Sequence, residues 1–174
     1  MKKCLLIFSF ILFGFVSYGQ FGVRISPAIV WDTGPNAISD FAVGGGINYK
    51  YTDLHEHIAV QPSLNYVWGL NKVVVYSWRG NARDYLRTVG LGIPIMYYLE
   101  ENHEGLYVSL SPQLGVRISH TAVTDSRAQA GLGIGFGYDS GKLQIGFDFG
   151  IGFSGQYKGR SAGLGVTYLI GNLF

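Results

Sequence analysis

The chain has 174 residues, room for one domain. Its 26 glycines, 15% aromatics and only 14% charged residues depart from a soluble domain, where roughly 25% of residues are charged. A formal net charge of +2 excludes an electrostatically driven nucleic-acid binder, and the single cysteine, Cys4, excludes a disulfide framework or a cysteine zinc cluster.

At the N-terminus, Lys2 and Lys3 precede a mostly apolar run from Leu5 to Val16. Ser17-Tyr18-Gly19 then offers the small residues that a signal peptidase reads. Residues 1–19 are expected to be a cleaved signal peptide and 20–174 the exported domain. The apolar run falls short of the ~20 residues of a spanning helix. Cys4 lies before that run, whereas a lipoprotein cysteine would follow it. Removing Lys2 and Lys3 leaves 11 basic residues against 11 acidic ones, so the mature chain is neutral.

From Gln20 onward the dominant signal has period two. Eight segments carry it: Phe21 to Trp31, Phe41 to Tyr51, His57 to Trp68, Arg87 to Leu99, Leu106 to Ile118, Ala128 to Tyr138, Leu143 to Phe153 and Ser161 to Phe174. In the seventh, Leu143, Ile145, Phe147, Phe149 and Ile151 alternate with Gln144, Gly146, Asp148, Gly150 and Gly152. A helix would smear such a set around its cylinder, whereas a strand places it on one face. Short connections (Thr52 to Glu56, Glu100 to Gly105, Asp139-Ser140-Gly141) alternate along the chain with mostly longer ones (Asp32 to Asp40, Gly69 to Leu86, His120 to Arg127, Gly155 to Arg160).

Alternation alone also fits a soluble sandwich, and three features separate the two. Soluble strands average about 5–6 residues, while these are long enough to cross a bilayer at a tilt. Their polar face holds Gly, Ser, Gln and Asn instead of the Lys and Glu of a wetted sheet. Within the strands that face carries only Arg24, Lys50, Arg117 and Asp148 as charges. The apolar faces end in aromatics: Trp31, Phe41, Trp68 and Phe153 at one end, Tyr51, Tyr97, Tyr138 and Phe174 at the other. Such belts sit at bilayer interfaces. The expected fold is all-β: an eight-stranded antiparallel up-and-down transmembrane barrel, apolar outside and polar inside. The last strand ends on Phe174, with Ile170 and Tyr168 on the same face, and resembles the signal that the outer-membrane barrel assembly machinery reads.

The mature chain resembles the small eight-stranded outer-membrane barrels of the OmpA/OmpX architecture. More closely, it resembles the PorT-like outer-membrane β-barrel family of Bacteroidota. The residues that carry this are Tyr18-Gly19-Gln20 and the fourth-strand motif Leu91-Gly92-Ile93-Pro94-Ile95-Met96-Tyr97-Tyr98, followed by Glu100-Glu101. The basic residue often found after the proline in that family is missing. The resemblance implies location and fold, and it hints at an envelope role, since members include barrels linked to secretion.

Other motifs point to chemistry less well. Gly150-Ile151-Gly152-Phe153-Ser154-Gly155 fits GxGxxG, but a dinucleotide site needs that loop between a strand and a helix. His55-Glu56-His57 lacks a further metal ligand. Ser119, His120, Asp125 and Ser126 gather near the fifth strand's outer end, but the His-x-Ser pattern of lipid A deacylases is absent. Neither catalysis, metal nor cofactor is expected; a lipid A hydrolase and a small channel are the alternatives. Arg24 or Lys50 is expected to pair with Asp148 inside a lumen that side chains fill. The outer connections carry net +3 and the inner turns net −5. The partners expected from this are outer-membrane lipid and lipopolysaccharide, the assembly machinery during biogenesis, and an envelope protein.

Overall fold

The computed structural model describes residues 19–32, 39–75, 82–118, 128–153 and 159–171. The expected signal peptide lies outside these, as does Phe174. Ten strand segments follow one another: β1 (Gly19–Asp32), β2 (Ser39–His55), β3 (Ile58–Val60), β4 (Ser63–Val75), β5 (Ala82–Gly92), β6 (Ile95–Tyr98), β7 (Gly105–Arg117), β8 (Ala128–Asp139), β9 (Leu143–Gly152) and β10 (Gly159–Gly171). All pairings are antiparallel, and β1 pairs with both β2 and β10, which closes the sheet on itself. Closure removes the edges that an open sheet would expose.

The ten segments make eight barrel strands, because the third is β3 plus β4 and the fourth is β5 plus β6. Both breaks fall at prolines, Pro62 and Pro94, which have no N–H to give the ladder. Their carbonyls still serve it. Tyr49 N donates to Pro62 O at 3.0 Å and Gln61 N to Pro94 O at 2.8 Å. The expected strands are therefore continuous in space although interrupted in pattern.

A second difference is at the loop end. The sequence suggests a connection from Gly69 to Leu86, but β4 runs on to Val75 and β5 begins at Ala82. Pairs from Lys72 with Tyr85 up to Val75 with Ala82 extend the hairpin. The register shifts between Trp68 and Lys72, and that irregularity breaks the alternation by which the strand would have been read.

The molecule is inside-out. Val23, Ile25, Phe41, Leu64, Trp68, Leu91, Ile134 and Phe149 all stand exposed on the exterior. Among the described residues the buried hydrophobic ones are Ala42, Ala59, Met96, Tyr98, Tyr107 and Leu169. So small a core cannot offset the conformational entropy of folding in water, at about 1–2 kcal/mol per residue for the backbone. Apolar solvent around the exterior resolves the imbalance: the belt is a lipid-facing surface. A closed barrel also pairs its backbone groups from strand to strand, as a bilayer demands. Short turns close the barrel at the end that holds Gly19, the end that faces the periplasm in this architecture.

Candidate functional site

The inward positions build two polar layers. The deeper one, toward the short turns, draws Lys50 from β2, Gln61 from the break after β3, Tyr98 from β6, Asp139 from β8 and Gln144 from β9. Asp139 Oδ2 accepts from Lys50 Nζ at 2.8 Å, Tyr98 Oη at 2.8 Å and Gln144 Nε2 at 2.6 Å. Its Oδ1 accepts from Gly141 N at 2.8 Å. Four donors on one carboxylate leave it well satisfied, as a charge wholly out of water requires. Lys50 Nζ also donates to the His103 carbonyl at 2.7 Å and lies 4.9 Å from the Tyr98 ring centroid. Gln61 Nε2 donates to Gln144 Oε1 at 3.0 Å.

Of the two pairings expected for Asp148, this layer removes the one with Lys50. Lys50 meets Asp139, not Asp148, and the two side chains are only 3% and 0% exposed. The Asp139-Ser140-Gly141 composition reads as a turn, yet inward parity through Gly133, Gly135 and Gly137 leads directly to Asp139. That parity is the signal that the turn residues obscure. Met96, Tyr107 and Leu169 pack the lumen here, so at this level side chains replace water.

The second layer is Arg24 on β1 with Asp148 on β9, joined through Arg24 Nη2 and Asp148 Oδ2. It is one of the two pairings expected for Asp148. Backbone on β10 makes room for it, because a Cβ at Gly165 would collide with the guanidinium. The same device serves Tyr107, whose hydroxyl occupies the space that a Cβ at Gly146 would need. Arg24 and Asp148 are 24% and 43% exposed in their side chains. This pair is therefore partly solvated. Arg24 and Asp148 themselves line a cavity of about 300 Å³ that reaches from Gln61 toward the loop side, past Asn65, Gln113 and Ser161.

The side chain of Arg117, at the end of β7, lies outside the described residues, as do Ser119, His120, Asp125 and Ser126. Gly150 and Gly152 lie within β9, a strand and not a phosphate-binding loop. Phe41, Trp68 and Phe153 are exposed at the loop end and Trp31 is half-buried there. Tyr97 and Tyr138 are exposed at the turn end, with Tyr51 half-buried. Ile170 and Tyr168 face outward from β10. At the turn rim, Glu56 and His57 meet Glu101 from the next turn, their ligand atoms within 4.8 Å of one another. That cluster uses Glu101 where the sequence suggested His55, and it offers three ligands where a closed zinc site has four.

No family model matches the sequence, and no curated protein sequence matches it either. Solved structures do match in shape. The N-terminal β-barrel domain of Pseudomonas aeruginosa OprF superposes with a TM-score of 0.54 at 19% identity, over 87% of this chain and 99% of that one. Ail of Yersinia pestis in a phospholipid nanodisc gives 0.55 at 14% identity, over 87% and 99%. Neisserial surface protein A gives 0.51 at 16% identity, over 85% and 96%. The fold is that of an outer-membrane barrel. Together with the apolar belt, it sets the chain in a bilayer by its strands.

Proposed function

We propose that this protein resides in the outer membrane and works through its surfaces, as a structural or interaction component of the cell envelope, and not through catalysis or flux along its lumen. The observation that carries this reading is the buried Asp139 network. Lys50, Tyr98, Gln144 and Gly141 converge on one carboxylate and fill the turn end of the lumen. A lumen closed by ionic and hydrogen-bonded side chains offers no wide water path, as is usual for barrels of this size.

The PorT-like resemblance in Leu91 to Tyr98 supports a place beside other envelope proteins, secretion apparatus included. Two structural relatives bear names that speak of surface work, attachment invasion locus protein and neisserial surface protein. The acidic inner turns and the outer connections are the faces a partner would meet. Ile170 and Tyr168 face lipid on the last strand, where the assembly machinery would engage it.

The test is cross-linking in intact cells followed by capture of the tagged protein from detergent-solubilised envelope. The reading expects a reproducible envelope partner whose recovery depends on charge reversal at Glu100 and Glu101 or on changes in the outer connections. Recovery of the mature protein from the soluble periplasm after a carbonate wash would overturn it.

A further inference from the structure

At the loop end of β4 and β5 the lipid-facing surface changes character. Leu64, Tyr66 and Trp68 on β4, with Leu91 and Val89 on β5, form the outward apolar face. Two cations then continue it. Arg87 lies opposite Trp68 in the ladder, and Lys72 opposite Tyr85. The Arg87 guanidinium carbon is 5.8 Å from the Trp68 ring centroid, and Lys72 Nζ is 5.6 Å from that of Tyr85. The two rings meet edge-on at 6.5 Å. The four side chains thus form one row, two rings in edge contact with a cation at either end.

Cation–π contact fixes where these charges sit but does not neutralise them. Both ion pairs among the described residues, Arg24 with Asp148 and Lys50 with Asp139, lie inside the lumen, and among the described residues neither Lys72 nor Arg87 meets a carboxylate. Arg87 Nε is buried without a hydrogen-bond partner. Two cations beside a lipid-facing apolar wall, with no carboxylate partner among the described residues, suit an anion at the head-group level. Trp68 and Tyr85 set that depth, because amphipathic rings sit at the interface.

We propose that Lys72 and Arg87, held by Tyr85 and Trp68, form a site for the phosphate of a phosphorylated glycolipid in the outer leaflet. Arg87 supplies directed donors to the phosphate oxygens and Lys72 a point charge beside them. The outward Leu64, Tyr66 and Leu91 supply the wall for its acyl chains. A lipid fits this surface better than a soluble anion because the cations and the apolar wall share one outward face. The inference rests on the outer-membrane reading and adds to it a lipid class and the residues that select it.

The test uses the full-length folded barrel in detergent, with diphosphoryl lipid A or its dephosphorylated form added and retention read by native mass spectrometry. Wild type is expected to retain the diphosphoryl form. Changing both Lys72→Gln and Arg87→Gln should weaken it roughly tenfold or more, with the dephosphorylated lipid binding wild type as weakly as the double variant binds lipid A. Lys142→Gln, which removes an exposed cation at the opposite end, should leave retention unchanged. Arg87→Lys keeps the charge but not the fork, so an intermediate loss is expected even if the double variant fails to fold. Unchanged retention in these Arg87 and Lys72 variants, or equal binding of the dephosphorylated lipid, would overturn the site. Fractionation of cells distinguishes the two failures: a soluble protein refutes the membrane reading, while a membrane protein indifferent to these substitutions refutes only the lipid site.

Discussion

The two lumenal ion pairs should differ sharply in what their removal costs. Asp139→Ala takes away the acceptor of Lys50, Tyr98 and Gln144 at once and leaves the ammonium with the His103 carbonyl. The Lys50 and Asp139 side chains are 3% and 0% exposed, so water cannot replace the lost contacts without opening the lumen. Breaking a buried pair by removing one partner costs about 3–5 kcal/mol. Asp148→Ala removes the partner of Arg24 where the side chains are 24% and 43% exposed. There solvent takes over much of the charge, and the loss should stay near 1 kcal/mol or below. Urea unfolding of the refolded protein in phospholipid vesicles, followed by tryptophan fluorescence, gives both values. Asp139→Ala should shift the midpoint severalfold more than Asp148→Ala, with a similar slope for both. Equal losses would refute the argument that burial ranks the two pairs. A Lys50→Met/Asp139→Leu double replacement should recover part of the loss, because no charge is then stranded.

Other expectations follow from single contacts. Tyr98→Phe removes one hydrogen bond to Asp139 while keeping the ring under Lys50, so it should cost about 1–2 kcal/mol in the same unfolding assay. Gly165→Leu places a side chain where the Arg24 guanidinium lies, and should destabilise the barrel more than Gly159→Leu, where a Cβ meets nothing within 4 Å. Deleting Phe174 should reduce the folded fraction in the outer membrane, read as loss of the heat-modifiable band in electrophoresis. Lipid A incubated with the purified protein should keep its acyl chains by mass spectrometry; acyl loss that His120→Ala abolishes would contradict the non-enzymatic reading.

The strands and their two faces were legible in the sequence because period two leaves few alternatives when it persists over eight segments. What parity could not show was where it is interrupted. Pro62 and Pro94 split the third and fourth strands as backbone donors vanish, yet their carbonyls keep the ladder joined. The β4–β5 extension was hidden by the irregular register between Trp68 and Lys72. Within the lumen, parity placed Arg24, Lys50 and Asp148 inward but could not rank partners across the barrel, which depends on height along strands distant in sequence. Asp139 was missed for a local reason: Asp-Ser-Gly is turn chemistry, and Asp139 does both jobs, with Oδ1 on the Gly141 amide and Oδ2 on Lys50.

The central claim is a membrane barrel whose lumen is shut at its turn end by the Asp139 network. Single-molecule recording in planar bilayers tests it most directly, comparing wild type with Lys50→Ala/Asp139→Ala at the same protein density. Wild type should show no steady porin-sized conductance, and the double variant at most brief, flickering openings as water enters. A stable, large, ion-permeable state of the wild-type protein would contradict that claim.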